Sequence, residues 1–385
     1  IRVIDLISKM SDPAGTFSLV SRAPLDAPRR IGGWNTAEDV ALVLLTSGST
    51  AEPKAVPLRV RHLLAYARVS GDHYALGPTD RCLHVMPMFH GHGLKSCLLV
   101  PLANGSGVIA SPDFDIPTFF QQMNAMRPTW YSAASSIHQA ILARIDDYRE
   151  VARNASLRFI RSGSGRLDPK VMAGLEQAFG APVLERYGMS EAGMITSNPL
   201  HGERRSGSVG FALAGVAVRV ADETDRALPA GTTGGIQVKG DNVFAGYWRK
   251  PEKTRAEFTA DGWFRTGDMG VVDNDGYLAI VGRAKDLVIS GGYNVYPREI
   301  ELALDAMPGV SESAVIGIPD PNFGEAVTAV VVMNPNATFD PQAMVRELKN
   351  NLANYKIPKH IHRVEELPRN AMGKVQKAVL RDRFR

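Results

Sequence analysis

The sequence predicts an α/β protein. It reads as a large domain of parallel-rich sheets with helices and a β-rich subdomain, followed by a small α+β domain. Three observations predict it. Between 41 and 188, short apolar runs alternate with amphipathic stretches, the rhythm of a parallel sheet covered by helices. From about 205 to 283, short alternating strands broken by Gly and Asp replace that rhythm. Beyond 285 a compact set of two helices and two strands follows. The boundary falls at 283–286, giving domains 1–284 and 285–385.

Residues 11–36 are rich in Pro, Ser, Gly and Arg and read as a loop or linker. ALVLL (41–45) is a short apolar run, read as a buried strand, that leads into the small-residue loop TSGSTAEPK. Residues 59–74 carry helical spacing through Val60, Leu63, Leu64 and Ala67. CLHVM (82–86) and GVIAS (107–111) read as strands, 116–127 as a helix, and TWYSA (129–133) as the next strand. Residues 135–150 and 168–179 are helical, while LRFIRSG (157–163) and PVLERYG (182–188) are strands ending in loops. VGFALAGVAVRVAD, GGIQVKG and GYLAIVGR supply the β-rich part. Helix 297–306, strands 313–319 and 326–333 and helix 341–353 complete the chain.

The 385 residues, 44% hydrophobic and 22% charged, exclude a disordered chain, a collagen and a coiled-coil rod. No window holds eighteen uninterrupted apolar residues, so no membrane span is expected. The first residues lack the basic start and apolar run of a secretory signal, and there is no initiator Met, so a start further upstream is expected. Cys82 and Cys97 form neither a disulfide framework nor a zinc spacing, which points to a reducing, cytoplasmic setting. Residues 345–385 carry 11 Lys/Arg against 4 Asp/Glu, whereas the preceding 344 carry 33 against 36. The basic tail holds only Tyr355 and Phe384 as aromatics, so an anionic small molecule fits it better than a nucleic acid. A solvated basic face is the plain alternative.

Four features carry chemistry. TSGSTAEPK (46–54) offers hydroxyls, glycine and a lysine after a strand, which suits phosphate oxygens although the Walker A spacing is absent. Glu191 in YGMSEAG follows a strand, where a carboxylate can hold Mg²⁺ with substrate phosphates. Asp268 lies in a turn between glycines in WFRTGDMG and can accept from both hydroxyls of a ribose, with Arg283 as a further donor. Lys374 follows a glycine in RNAMGKVQK within the basic tail. Each has a bland reading as a turn or a surface side chain.

Together, in this order, they resemble the adenylate-forming superfamily of acyl-CoA synthetases, amide-forming adenylation domains and luciferases. The resemblance rests on TSGSTAEPKAVPL, PMFHGHGL, ERYGMSEAG, WFRTGDMG, GRAKDLVISGGYNVYPREIE and LPRNAMGKVQK, and covers residues 41 to about 380. It implies a large adenylation domain, a mobile C-terminal domain, and ATP, Mg²⁺ and CoA. It implies that Thr46, Ser47, Gly48, Ser49, Thr50 and Lys54 cover the outer phosphates of ATP. Gly163, Ser164 and Gly165, with Glu185, Arg186, Tyr187, Gly188 and Met189, would flank adenine and the acyl pocket. Ser190 and Glu191 would meet the phosphates and Mg²⁺, and Asp268 and Arg283 the ribose. Lys285 matches the hinge. Lys374 would bridge the acid and the α-phosphate, and the turn 290–293, with Gly291 and Gly292, would line the pantetheine channel.

The sequence departs from the family's usual T-S-G-T-T-G-x-P-K-G, with Ser49, Ala51 and Ala55 in place of Thr and two glycines. Alanine tolerates φ > 0 poorly, so a need for that conformation would strain the loop. Only 45 residues precede the loop where relatives carry over a hundred, so the chain reads as a fragment lacking the N-terminal part of its large domain. Other stretches resemble oxalyl-CoA and malonyl-CoA synthetases, which points to a small dicarboxylate such as malonate. A second carboxylate needs a paired cation. Arg161 and Arg186, with His90, His92 and Met194 nearby, are the candidate acid-binding residues. Two alternatives stay open: an aryl or medium-chain acid held by Met86, Met88, Trp130, Tyr131 and Met194, and an inactive nucleotide-binding module.

Overall fold

The computed structural model describes residues 4–7, 18–21, 33–46, 54–111, 114–165, 167–370 and 373–385. The chain divides into two units, Ile1–Thr36 and Ala37–Arg385. In the first, Ile4–Ile7 pairs antiparallel with Ser18–Ser21. The second strand interrupts the stretch read as linker. The Pro, Gly and Arg content of the whole stretch hid one short Ser-Leu-Val-Ser run.

The second unit is built on a seven-stranded sheet. Its order is Phe211–Ala212, Gly193–Ser197, Val183–Met189, Phe159–Ser162, Trp130–Ala133, Arg81–His84 and Gly107–Ala110. The last five are mutually parallel, and Gly193–Ser197 turns back antiparallel on Val183–Met189. Trp130–Ala133 and Phe159–Ser162 are buried at every residue, as expected of parallel strands covered on both faces. Helices Ile116–Met126, Ser135–Ala143 and Pro169–Phe179 lie between these strands in sequence. Asp115 caps the first by accepting from the Thr118 amide at 2.9 Å, and Gly180, at φ 64°, ends the last. The helix expected over 135–150 breaks at Ala143 into a 3₁₀ turn, Ile145–Tyr148, and a short helix, Arg149–Arg153.

Strand order reverses at Arg81–His84. The chain passes first to Gly107–Ala110 on one side and then to Trp130–Ala133 on the other. Such a switch point opens a crevice at the carboxyl ends of the strands, where ligands bind in open α/β sheets. His90 and His92, Gly163 to Gly165 and Ser190 with Glu191 all follow the carboxyl ends of strands in this sheet.

One sequence expectation fails here. The apolar run at 41–45 is not a buried strand. Val40–Thr46 forms a two-stranded hairpin with Lys54–Arg59, and of its residues only Leu44 is buried, while Val43 and Leu45 are 51% and 74% exposed. Alternation with period two turns one set of side chains outward, so the strand is half-buried. The helix Val60–Tyr74 buries His62, Tyr66, Ala67, Ser70, Gly71 and Tyr74 and exposes Leu64. The helix expected over 59–74 forms; its inner face is largely polar and aromatic, with Ala67 in the core and Leu63 packed against it.

An antiparallel sheet of Val216–Ala221, Gly234–Gly240, Phe264–Val272 and Leu278–Arg283 follows. The last sheet combines Tyr293–Val295, Val288–Ser290, Gly324–Met333 and Val310–Asp320, with His360–Val364 parallel to Gly324–Met333. Its cores draw on Val288 to Leu380, whereas the main core draws on Leu44 to Leu278. Much of the basic tail is folded and paired. Helix Lys377–Phe384 buries Leu380, Arg381 reaches Asp286 at 2.8 Å, and Lys377 reaches Glu301 at 2.6 Å. Among the described residues no helix is long and apolar enough to cross a membrane.

Candidate active site

Asp268 and Arg283 face each other across neighbouring strands and form an ion pair at 2.9 Å. The other Asp268 oxygen accepts from the Tyr187 hydroxyl at 2.5 Å. Asp268 and Tyr187 are buried, while Arg283 remains half-exposed. The carboxylate is thus fixed from two sides.

Glu185 lies on the same strand as Tyr187 and is 5% exposed. One oxygen accepts from the Leu167 amide at 3.4 Å, and the other has no partner among the described residues. Burial pushes its carboxyl up to about 7, against the Leu167 and Gly207 amides. The folded form therefore keeps its proton while the unfolded form gives it up, and stability falls as pH rises from about 4.5 to about 7. Glu185→Gln removes this dependence. It is expected to gain about 2 kcal/mol more over wild type at pH 8 than at pH 5. Urea midpoints at the two pH values check this, and equal shifts would contradict it.

The hairpin between Val183–Met189 and Gly193–Ser197 carries Ser190 and Glu191 at its turn. It closes tightly, because a Cβ on Gly188 would stand 2.1 Å from the Gly193 carbonyl oxygen. Glu191 is buried, with Oε1 3.0 Å from the Tyr247 hydroxyl. The same hydroxyl lies 2.5 Å from Glu257 and accepts from Lys54 Nζ at 3.0 Å. Lys54 also pairs with Glu257 at 3.3 Å. The loop lysine and Glu191 are thereby joined through Tyr247. Ser47, Gly48, Ser49, Thr50 and Ala51 lie outside the described residues; Thr46 accepts nothing new but donates to the Lys54 carbonyl at 3.3 Å. Ala55 sits in the hairpin opposite Leu45 and has no positive φ, so alanine carries no strain there. A single inward carboxylate at Glu191 fits Mg²⁺, which takes one or two protein carboxylates and completes its shell with phosphate and water.

Arg161 is fully buried inside its strand. Nε donates to Ser132 Oγ at 3.0 Å and Nη2 to the Ser96 carbonyl at 2.9 Å, while Nη1 has no partner among the described residues. The guanidinium stacks over Trp130 at 4.8 Å and Tyr74 at 5.3 Å. Arg186 Nε is likewise buried without a partner, and its guanidinium lies against Gly163, where a Cβ would come within 2.9 Å. The two arginines lie within electrostatic reach of each other. His92 is held by Ser164 Oγ at 2.8 Å and Ser132 Oγ at 2.7 Å, and burial with Arg186 pushes its pKa down to about 3. His90 accepts from the His92 amide at 3.1 Å and is pushed down to about 4 by burial, then Lys374, Arg186 and Lys95. Ser164, at φ 64°, and Gly165, packed against Ser135, complete this wall. Met194 is buried and accepts from the Tyr74 hydroxyl at 3.3 Å. Of the residues expected to form an apolar pocket, Met88 is exposed and Trp130 is covered by the Arg161 guanidinium.

Lys374 reaches this group from the far end of the chain. Its ammonium is held below its usual range by lost hydration first, and then by Arg283 and Arg186, against Asp268 and Glu191. Gly373, at φ 74°, packs where a Cβ would meet Ser136 Oγ at 2.6 Å. Lys285 lies in the 3₁₀ turn Ala284–Asp286, one residue before the Asp286–Arg381 pair. Gly291 and Gly292, at φ 58° and 80°, form an exposed turn whose contacts are with Phe323, not with the Asp268 group. Sequence reasoning missed Tyr247, Glu257 and Lys95. The first two sit in GYWRKPEKTRAEF, a stretch noted for resemblance, but an isolated Tyr or Glu gives no local chemical signal.

The profile of the AMP-binding enzyme family matches residues 8–248, and that of the AMP-binding enzyme C-terminal domain matches 299–374. The chain belongs to the AMP-binding enzyme family. Within this family it groups with the AMP-forming acyl-CoA synthetases of the adenylate-forming superfamily, whose co-substrates are ATP and CoA and whose usual ion is Mg²⁺. A sulfoacetate–CoA ligase of Cupriavidus necator is 40% identical over 342 residues, covering 88% of this chain and 66% of that protein. An oxalate–CoA ligase of Arabidopsis thaliana is 38% identical over 355 residues, covering 91% and 68%. The crystal structure of ATP-bound MatB from Rhodopseudomonas palustris superposes with a TM-score of 0.87 at 44% identity, over 91% of this chain and 69% of that one. The chain spans about two thirds of the length of the relatives it matches.

Proposed function

We propose that this AMP-binding enzyme is an ATP-dependent acid–CoA ligase for a small acid with a second anionic group, such as malonate. The observation that carries the reading is convergence: Asp268 and Glu191, from two separate segments, both lie within electrostatic reach of Lys374, from a third. A carboxylate is a poor electrophile. Its oxygen attacks the α-phosphorus of ATP, the bond to pyrophosphate breaks, and an acyl-adenylate forms. The CoA thiol then attacks the acyl carbon, AMP leaves, and the thiol proton passes to solvent. The first step depends on positioning and charge neutralisation. Lys374 meets the acid carboxylate and the α-phosphate, Asp268 holds the ribose with Arg283, and Lys54 turns to the outer phosphates. Mg²⁺, when bound, neutralises phosphate charge, and Glu191 is the residue that would hold it.

The two arginines support the acid's class. Arg161 and Arg186 keep orphan donors, without a carboxylate partner among the described residues, which suits a distal carboxylate. Relatives acting on oxalate and sulfoacetate point the same way. The two buried free cysteines suit a reducing, cytoplasmic setting. The test is pyrophosphate release by the full-length protein across an acid library, with and without CoA. A response to small diacids above monoacids is expected; a response confined to aryl or medium-chain acids, or none, would contradict the reading.

The second step needs another surface at the same adenylate. We place the moving unit at 285–385, turning about Lys285 to exchange Lys374 for the turn 290–293. Lys285→Pro is expected to stop thioester formation while adenylate formation continues, and equal loss of both would contradict the hinge.

A further inference from the structure

Lys95 is a buried lysine that none of the roles above uses. It lies in an eight-residue π-helix, His92–Leu99, whose wide turn buries His92, Gly93, Lys95, Ser96 and Cys97. Lys95 is 5% exposed. Its Nζ donates to the Ser190 carbonyl at 3.2 Å and lies 5.5 Å from the centre of the Tyr66 ring. That is its one hydrogen bond among the described residues, so two N–H directions remain. Gly91 leaves room for the stem, since a Cβ there would stand 3.2 Å from Lys95 Cε.

The surrounding charges are mostly positive. Arg186 and Glu191 both act on Lys95, and Lys95, Arg186 and Lys374 all act on His90. Arg161 adds its charge to Arg186. Glu191 is the carboxylate that faces Lys95, and Tyr247 already engages it. Arg161 Nη2 donates to the carbonyl of Ser96, the residue after Lys95, at 2.9 Å, so buried Lys95 and Arg161 and half-buried Arg186 stand together, each with a donor unused among the described residues. A buried ammonium without a full partner is costly unless a ligand completes it. Burial lowers Lys95 to about 8, with Glu191 holding it up, so it keeps its charge at neutral pH.

The geometry points to Lys95 as a specificity-determining residue, completing with Arg186 and Arg161 a three-cation pocket that selects short acids bearing a second negative charge. This rests on the reading of the two arginines as the acid's anchor and names a further residue that enforces it. A purely structural Lys95, holding the 190–192 turn through the Ser190 carbonyl, would depress every acid alike.

The experiment compares malonate with monomethyl malonate, in which one charge is masked, as substrates for pyrophosphate release by the full-length protein. The readout is the ratio of their kcat/KM values. Lys95→Met is expected to lower the wild-type preference for malonate about tenfold or more, the scale of one lost charge-assisted hydrogen bond. Lys95→Arg is expected to retain it. A smaller change in the Met variant, or an equal loss in the Arg variant, overturns the role of Lys95 and leaves the arginine reading standing. A wild type with no preference for malonate overturns both. Lys95→Gln, scored in the same way, replaces the Met variant if thermal melting shows that the latter does not fold.

Discussion

Lys374→Ala is expected to lower acid-dependent pyrophosphate release on the order of a hundredfold or more. The expectation comes from place and charge. Lys374 arrives from the last segment of the chain at a group formed by Asp268, Glu191, Arg186 and Arg283. Attack on the α-phosphorus brings a carboxylate against a polyanion, and a mobile cation set between them acts most strongly as the new bond forms. The glycine before it carries φ 74° and packs on Ser136, which fixes where the lysine enters. The same variant, supplied with preformed acyl-adenylate and CoA, is expected to make thioester at close to the wild-type rate, because the proposed turn about Lys285 brings the other face of the small domain to that step. Loss of both half-reactions to the same degree would contradict the assignment.

Arg161→Met is expected to lower kcat/KM for a small diacid about a hundredfold, with most of the change in KM. Methionine keeps an unbranched stem beside Trp130 and Tyr74 and removes the charge. The guanidinium has no carboxylate partner among the described residues, and Nη2 lies 4.0 Å from the Cys97 thiol. Binding a distal carboxylate would engage the orphan Nη1 and offset a desolvation that the protein bears alone. A monoanionic acid gains nothing from this contact. A change of less than tenfold for the diacid would move the assignment to an apolar pocket.

Sequence reasoning singled out Asp268, Arg283 and Glu191, but it took Asp268 for a turn residue, whereas Asp268 lies within the strand Phe264–Val272. Asp268 and Arg283 were separately legible as an acid and a base near one boundary, and register pairs them. Glu191 was legible as a carboxylate after a strand, but not as a buried one, since burial comes from Phe244 and Tyr247 folding over the turn. The π-helix was not legible. GHGLKSCLL has no propensity signal for i→i+5 bonding, and the need for glycine at Gly93, where a Cβ would meet the Pro87 carbonyl at 2.2 Å, appears only once the backbone is closed. The helical spacing over 59–74 was legible, but the burial of Tyr66 and Tyr74 on its inner face is not marked by apolar periodicity. The strand Val40–Thr46 was misread as buried, because it is an apolar run whose alternate side chains face outward.

The most direct test is exchange of labelled pyrophosphate into ATP by the full-length protein. Reversible formation of an acyl-adenylate predicts exchange that requires a small diacid, proceeds without CoA and collapses in Lys374→Ala. Exchange that no acid supports, or that appears only when CoA is present, would contradict the account.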